Sequence, residues 1–345
     1  WVIKYLVEYF RGNAKLLAED GYFTDFISNG VSTELCFVAF CAFTLIIIFA
    51  GVQNGIERVS KIMMPILIVL SVIIAVYSVT RPGAFAGVKY FLVPNVKNFS
   101  WMTVVSAMGQ MFYSLSIAMG ILITFGSYMK KDTAIEDSTR NVEIFDTGIA
   151  IMAGLMIIPA VFAFSGGDPD TLQAGPSLMF ITIPKVFQNM GFGTVIGIVF
   201  FLLVLFAAVT SSIALTESAV STFEDELGWG RKKATVLVGV IMLALGSLSS
   251  LGYGPLAGIK IIGMQFLDLF DFLTNSVMMP IAALLTSLFV SRVVGIDKIE
   301  AEIIHGESAF RRKKVFVVMI KYLCPVFAII ILLSSVANAL GWIKM

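Results

Sequence analysis

Eight stretches of this 345-residue chain run without Asp, Glu, Lys or Arg for about the 18 or more residues that a helix needs to cross the hydrocarbon of a bilayer. They cover 35–52, 62–79, 101–129, 147–167, 186–216, 234–259, 272–291 and 322–343. In hydrocarbon no water is available to backbone N–H and C=O groups, and a helix satisfies them within its own segment, so the pattern predicts an all-α integral membrane protein. A composition 58% hydrophobic and 14% charged, with mean hydropathy +0.93, agrees, because a water-soluble surface cannot carry that much apolar material. A ninth segment, 1–10, reads as the end of a helix that began earlier. The chain opens on Trp1 with no initiator Met and no positively charged leader, so we read Trp1 as a truncation point and not as part of a signal sequence.

Orientation follows from the basic residues. With Lys4 and Lys321 set aside at the edges of apolar segments, one set of alternate loops carries 14 Lys and Arg against 8 in the other. The positive-inside bias places the loops around 53–61, 130–146, 217–233 and 292–321 in the cytoplasm and the C-terminus outside. The same residues are parcelled among short loops and form no stripe, which excludes a nucleic acid partner. Cys36, Cys41 and Cys324 all fall in apolar spans, show no metal-ligand spacing, and read as small hydrophobes.

Two spans are longer than crossing requires, 101–129 and 186–216. The first carries Ser-Leu-Ser-Ile-Ala-Met-Gly at 114–120. Gly weakens a helix interior by about 1 kcal/mol, and serine hydroxyls compete for backbone bonds. The segment is therefore either an unwound hinge lining a polar midplane site, with free carbonyls for a cation, or a continuous helix whose small residues pack against a neighbour. Ionisable residues beside spans are few: Asp146 opens 147–167, Glu217 closes 186–216, and Asp268 and Asp271 precede 272–291. Each is either a solvated helix cap or part of an ion or substrate path. Thr210, Ser211 and Ser212 put three consecutive hydroxyls in an apolar helix, where they serve interhelical hydrogen bonds or offer oxygens to a small hard cation.

Catalysis finds little support. The only histidine, His305, sits in a charged loop far from any membrane-embedded carboxylate, so no Ser-His-Asp arrangement or His-rich metal site can be assembled. Gly191-Phe-Gly-Thr-Val-Ile-Gly197 lacks the spacing and the preceding strand of a dinucleotide loop and reads as a Gly-rich helix start.

Several motifs resemble the neurotransmitter:sodium symporter family across essentially the whole chain. They are Gly109-Gln-Met-Phe-Tyr-Ser-Leu-Ser116 with Gly120, Thr124-Phe-Gly-Ser-Tyr128, Thr210-Ser-Ser-Ile-Ala214, Phe223-Glu-Asp-Glu226, Phe266-Leu-Asp-Leu-Phe-Asp271 and Arg81-Pro-Gly-Ala84. The resemblance implies a single transporter domain over 1–345 with the leucine-transporter-like inverted-repeat bundle, family helices 3 (in part) to 11. In that frame 1–80 is the remainder of the first repeat, 101–291 the second, and 322–343 an additional C-terminal helix. It implies sodium-coupled symport of a neutral amino acid across the plasma membrane by alternating access, with two sodium ions as the only cofactor.

Carried over by position, the resemblance assigns one sodium to the Ala207 carbonyl and the Thr210 and Ser211 hydroxyls, and the other to Ser114 and Asp146. Tyr113, Ser114, Ser116, Met119, Ser211, Ser212 and Leu215 would surround the substrate, with Tyr113 as its aromatic lid. Gln110 and Asp271 would form the outer gate, Tyr128 and Asp225 the inner one. The arginines expected to pair with both gates belong to family segments that precede Trp1, as does half of each site. Two departures from the family pattern bear on mechanism. Asp146 stands where many relatives have Asn, and a fixed carboxylate there replaces the charge that chloride supplies elsewhere, so transport is expected to be chloride-independent. Met119, a flexible thioether in place of Phe, points to a bulky aromatic or aliphatic substrate. A non-transporting amino acid sensor of the same fold is the alternative from another class. A channel is disfavoured because the polar positions form one compact cluster and not successive rings.

Overall fold

The chain, obtained as a computed structural model, is described for residues 1–167, 175–307, 309–339 and 342, with the backbone alone at Asn98. In chain order its helices are α1 (Val2–Phe10), α2 (Ala14–Leu17), α3 (Tyr22–Ser28), α4 (Gly30–Phe49), α5 (Val52–Val79), α6 (Ala84–Leu92), α7 (Trp101–Ser114), α8 (Ile121–Ser127), α9 (Ile135–Ser165) and α10 (Leu178–Gln188), followed by α11 (Gly193–Leu227), α12 (Arg231–Leu251), α13 (Phe266–Val294), α14 (Ile296–Gly306) and α15 (Lys313–Ala339). Seven of them, α4, α5, α9, α11, α12, α13 and α15, are long and apolar enough to cross a membrane.

Seven of the eight uncharged stretches thus each supply most of one membrane-length helix, and the eighth, 101–129, breaks into α7 and α8. The helices also run past the charge-free windows into segments expected to be loops. The expected loop at 53–61 is the start of α5, joined to α4 through Ala50 and Gly51, and 130–146 is largely the start of α9. The 217–233 loop shrinks to three residues between α11 and α12, and 292–321 contains the whole of α14 and the start of α15. Charged residues are good helix formers once outside hydrocarbon, so absence of charge marks membrane depth and not helix ends. At the other edge, 186–216 starts too early: α10 ends at Gln188, and α11 begins at Gly193 behind Phe192, whose φ is +59°. The expected end of the last span at 343 lies outside the described residues.

Two compact units can be distinguished, 1–95 with 148–266, and 96–147 with 267–345. In the first unit α11 is the central helix, packed by α1, α4, α5, α10 and α12. Its core is aromatic: Tyr5 donates a hydrogen bond to the Phe180 carbonyl at 2.7 Å, and Tyr9 stacks on Phe201 with centroids 5.5 Å apart. Between apolar helices in lipid the hydrophobic effect gives no preference for helix over solvent, so close packing through small residues has to supply the attraction. Phe37 and Leu45 of α4 fill the space left by Gly246 and Gly239 of α12, where added Cβ atoms would come within 2.1 and 3.0 Å of those side chains. Gly51, at φ +87°, permits the abrupt turn from α4 into α5. In the second unit α13 packs along α15, and α7 lies against α15, with Phe112 of α7 clustered with Met279 of α13 and Ile331 of α15.

Candidate transport site

In the second unit the hinge takes its shape from three left-handed residues at alternate positions. Ser116, Ala118 and Gly120 have φ of +54°, +64° and +77°, so the i to i+4 ladder that carried α7 cannot continue, and α8 restarts behind Gly120. The Ile117 N–H reaches back to Phe112 O at 2.9 Å and the Ser116 N–H to Tyr113 O at 3.1 Å, a tightly wound terminus, and the Gly120 carbonyl already accepts the Thr124 N–H of α8 at 2.9 Å. The unwound reading of 114–120 therefore holds and the continuous helix does not. Left-handed geometry is easy for Gly120 but costs roughly 1–2 kcal/mol at Ser116 and at Ala118. Strain of this kind persists where the surroundings over-determine it and concentrates at functional sites.

At the end of α7 the Ser114 hydroxyl donates to Asp146 Oδ1 at 2.5 Å. Asp146 lies inside α9, about three turns from its start, so it does not cap a helix. Beside this pair, Gly109, Gln110, Phe112 and Tyr113 of α7 face Asp271, Asn275, Ser276 and Met279 of α13 and Ser335 of α15 across a cleft of about 360 Å³. Gln110, Tyr113 and Asp271 thus share one cavity. Asp271 sits in the second turn of α13, not ahead of it, and a widened π-helical segment, Phe272–Met278, follows directly. Its Oδ1 accepts from Asn275 Nδ2 at 2.6 Å. Asn275, Ser276 and Ser335 are polar lining residues that sequence reasoning missed; only the one-turn spacing of Asn275 from Asp271 signalled any of them. Asp268 stays in the first turn of α13, as a helix-start carboxylate should. Met119 packs with Ile117 against Phe112, Met279 and Ile331. Tyr128 closes α8 with its ring edge-on to Phe125, centroids 6.1 Å apart.

The remaining predicted positions lie on α11 in the first unit. Thr210 donates its hydroxyl to the Phe206 and Ala207 carbonyls, both at 3.0 Å, which leaves its oxygen lone pairs for another partner, and Ser211 is exposed beside it. The Ser212 hydroxyl meets Thr44 Oγ1 of α4 at 3.1 Å, the interhelical hydrogen bond expected of such a residue. Leu215 and Asp225 are exposed. Glu217 departs most from expectation. It is not a solvated cap, because α11 continues for ten residues beyond it, and it is 0% exposed. Arg231 of α12 grips it bidentately at 2.9 and 2.6 Å while donating Nε–H to the Ile48 carbonyl at 3.0 Å, and Glu224 lies 3.5 Å from the same guanidinium. Planar fork-to-fork pairing is the geometry in which such a pair is strongest.

The protein is thus helical, with membrane-length helices, a polar break in one helix, a carboxylate bonded to that break, and hydroxyls along a second helix, and comparison with solved structures places it in the leucine-transporter-like fold. The solved structure of MhsT in complex with L-phenylalanine matches it with a TM-score of 0.84 at 34% identity, over 97% of this chain and 76% of that one. By sequence the chain belongs to the sodium:neurotransmitter symporter family, whose model matches residues 4–342. The uncharacterized sodium-dependent transporter YhdH of Bacillus subtilis is 33% identical over 340 residues, 97% of this chain and 74% of the relative. One from Haemophilus influenzae is 30% identical over 346 residues, again 97% and 74%. The chain is accordingly a sodium-dependent transporter and not an enzyme.

Proposed function

We propose that the protein carries a neutral, bulky hydrophobic or aromatic amino acid into the cell together with sodium and without chloride. The observation that carries this reading is the bond between Ser114 and Asp146 at the broken helix. It puts a carboxylate at the helix break, where Asp146 and the carboxylate of a zwitterionic substrate can share one sodium ion. Binding either partner then improves the site for the other, and that reciprocal free energy is the coupling. Asp146 supplies fixed negative charge, so no mobile anion is needed. A second sodium belongs with the Ala207 carbonyl, Thr210 and Ser211, since a hydroxyl that donates to its own helix still offers lone pairs. Tyr113, Ser116, Met119, Ser211, Ser212 and Leu215 are assigned to the substrate, Gln110 and Asp271 to the outer gate, and Tyr128 and Asp225 to the inner one. The preference for a large side chain is supported by Met119 and by the phenylalanine in the MhsT structure.

We read the whole chain as one transporter domain, with 1–80 and 101–291 from the two inverted repeats and 322–343 additional. It lies in the plasma membrane with its basic loops in the cytoplasm and its C-terminus outside. Labelled phenylalanine, tryptophan and leucine should accumulate in proteoliposomes holding the product of the complete gene under an inward sodium gradient. Accumulation should vanish in potassium and persist when chloride is replaced by gluconate. Saturable binding with no accumulation of any of the three would sink the symport reading and favour a sensor.

A further inference from the structure

Helix α9 begins without a local cap. The residue before Ile135 is Ala134, which has no side-chain acceptor for the free N–H groups of the first turn. Glu307, from the segment after α14, supplies it: its Oε1 accepts the N–H groups of Glu136 and Asp137 at 2.6 and 3.2 Å, the pair a resident capping side chain would take. The exchange is reciprocal. Glu136 Oε2 accepts the Arg311 backbone N–H at 2.8 Å, and Arg312 reaches Glu143 at 2.9 Å, so the strap that α14 and residues 309–312 form between α13 and α15 is bound to α9 again beyond the cap. Its start is fixed by Gly306, where an added Cβ would come within 2.4 Å of the Thr133 carbonyl. Lys313 closes the strap on itself by pairing with Glu300 at 2.5 Å.

The clamped residues, 133–137, are the far end of the link that leaves α8 at Tyr128. We infer that Glu307 is a positioning residue for the inner gate: by tethering the start of α9 to the strap between α13 and α15, it fixes the short link that carries Tyr128 and so sets how readily the inner side opens. This rests on the assignment of Tyr128 to the inner gate. A residue that merely capped α9 would stabilise that helix end and leave the gate alone; a tether transmits the position of α13 and α15 to it.

The test uses Thr124, buried one turn before Tyr128 on α8, in the full protein with every cysteine, Cys36, Cys41 and Cys324 among them, replaced by Ala. In inside-out vesicles, labelling of Thr124→Cys by a membrane-impermeant maleimide reports inner opening, and hydrogen–deuterium exchange reports the Glu136 and Asp137 amides. Glu307→Ala should raise the labelling rate several-fold and speed exchange at both amides, whereas Glu307→Gln, which keeps an acceptor oxygen, should restore both. Adding Ala134→Asp to Glu307→Ala gives α9 a local cap; it should restore amide protection and leave labelling raised. Return of labelling to the parent rate in that double variant would show a cap and no tether, and unchanged labelling in Glu307→Ala would equally overturn the inference. Should Glu307→Ala not be produced, Gly306→Ala displaces the strap with the carboxylate intact and must raise labelling for the inference to stand. Tyr128→Ala separates the two ideas: if it leaves labelling unchanged, the gate assignment fails, independently of what the strap variants do.

Discussion

The broken helix α7–α8 and the unbroken helix α11 carry nearly the same polar cargo, a few hydroxyls in an apolar run, yet only one of them unwinds. On α11 the hydroxyl of Thr210 turns back on its own helix, to Phe206 and Ala207, and the 35-residue helix runs through it. At the end of α7 the hydroxyl of Ser114 leaves its helix for Asp146, and within six residues three take left-handed backbone angles. Hydroxyls alone do not break a helix. A break requires an acceptor elsewhere for the side chain and residues such as Gly120 that accept left-handed geometry. On the proposed assignment the contrast also separates two ways of presenting oxygen to sodium: hydroxyls fixed on an intact helix, and the serine–aspartate pair at an unwound one.

Perturbations of each region would sharpen or break this comparison. The largest effect is expected on the unbroken side, from Glu217→Ala, which leaves Arg231 without its bidentate partner between α11 and α12. Losing one partner of a buried pair costs about 3–5 kcal/mol, so detergent-solubilised variant should melt far below the parent or not be recovered. A change of a few tenths would mean that solvent or Glu224 replaces the partner. Next is Asp146→Ala, expected to lower uptake at limiting sodium roughly a hundredfold, within the range of allosteric coupling energies. Asp146→Asn should recover much of that uptake only when chloride is present; recovery in gluconate would remove the charge argument.

Smaller effects test the two oxygen sets. Thr210→Val keeps the shape and deletes the oxygen, so half-maximal uptake should need about tenfold more sodium, while stability stays within ~0.5 kcal/mol because only bonds to the residue's own helix are lost. Equal sodium dependence would take Thr210 out of the site. On the broken side Ala118→Gly should stabilise the fold by about 1 kcal/mol, since glycine adopts the φ of +64° without a Cβ clash. A lowered melting temperature would show that the hinge is held by something other than its backbone angles.

Much of this was legible beforehand. The Gly-Ser composition of 114–120 singled the segment out as either a hinge or a packing surface, and the family motifs named Ser114, Asp146, Gln110, Tyr113 and Asp271, which the fold gathers around one broken helix and its cleft. Charge-free windows located the spans but misplaced their ends, because hydrophobicity measures depth in the bilayer while helices continue wherever their backbone bonds do. Glu217 was misread for the same reason: at the edge of an apolar window a carboxylate resembles a cap until the helix is seen to run on past it.

By itself, then, the sequence determined that this is a polytopic helical protein in a family of sodium-dependent transporters and narrowed 114–120 to a hinge or a tightly packed helix, since these depend on local composition and on motifs within single helices. The left-handed angles of the structure decided for the hinge. Only the tertiary structure decided that Glu217 is buried against Arg231, that Ser212 bonds to Thr44, and that Glu307 caps a helix 170 residues earlier. Each is a pairing between distant segments. The partner of a polar side chain is set by which helices pack together, and no local pattern of residues encodes that choice.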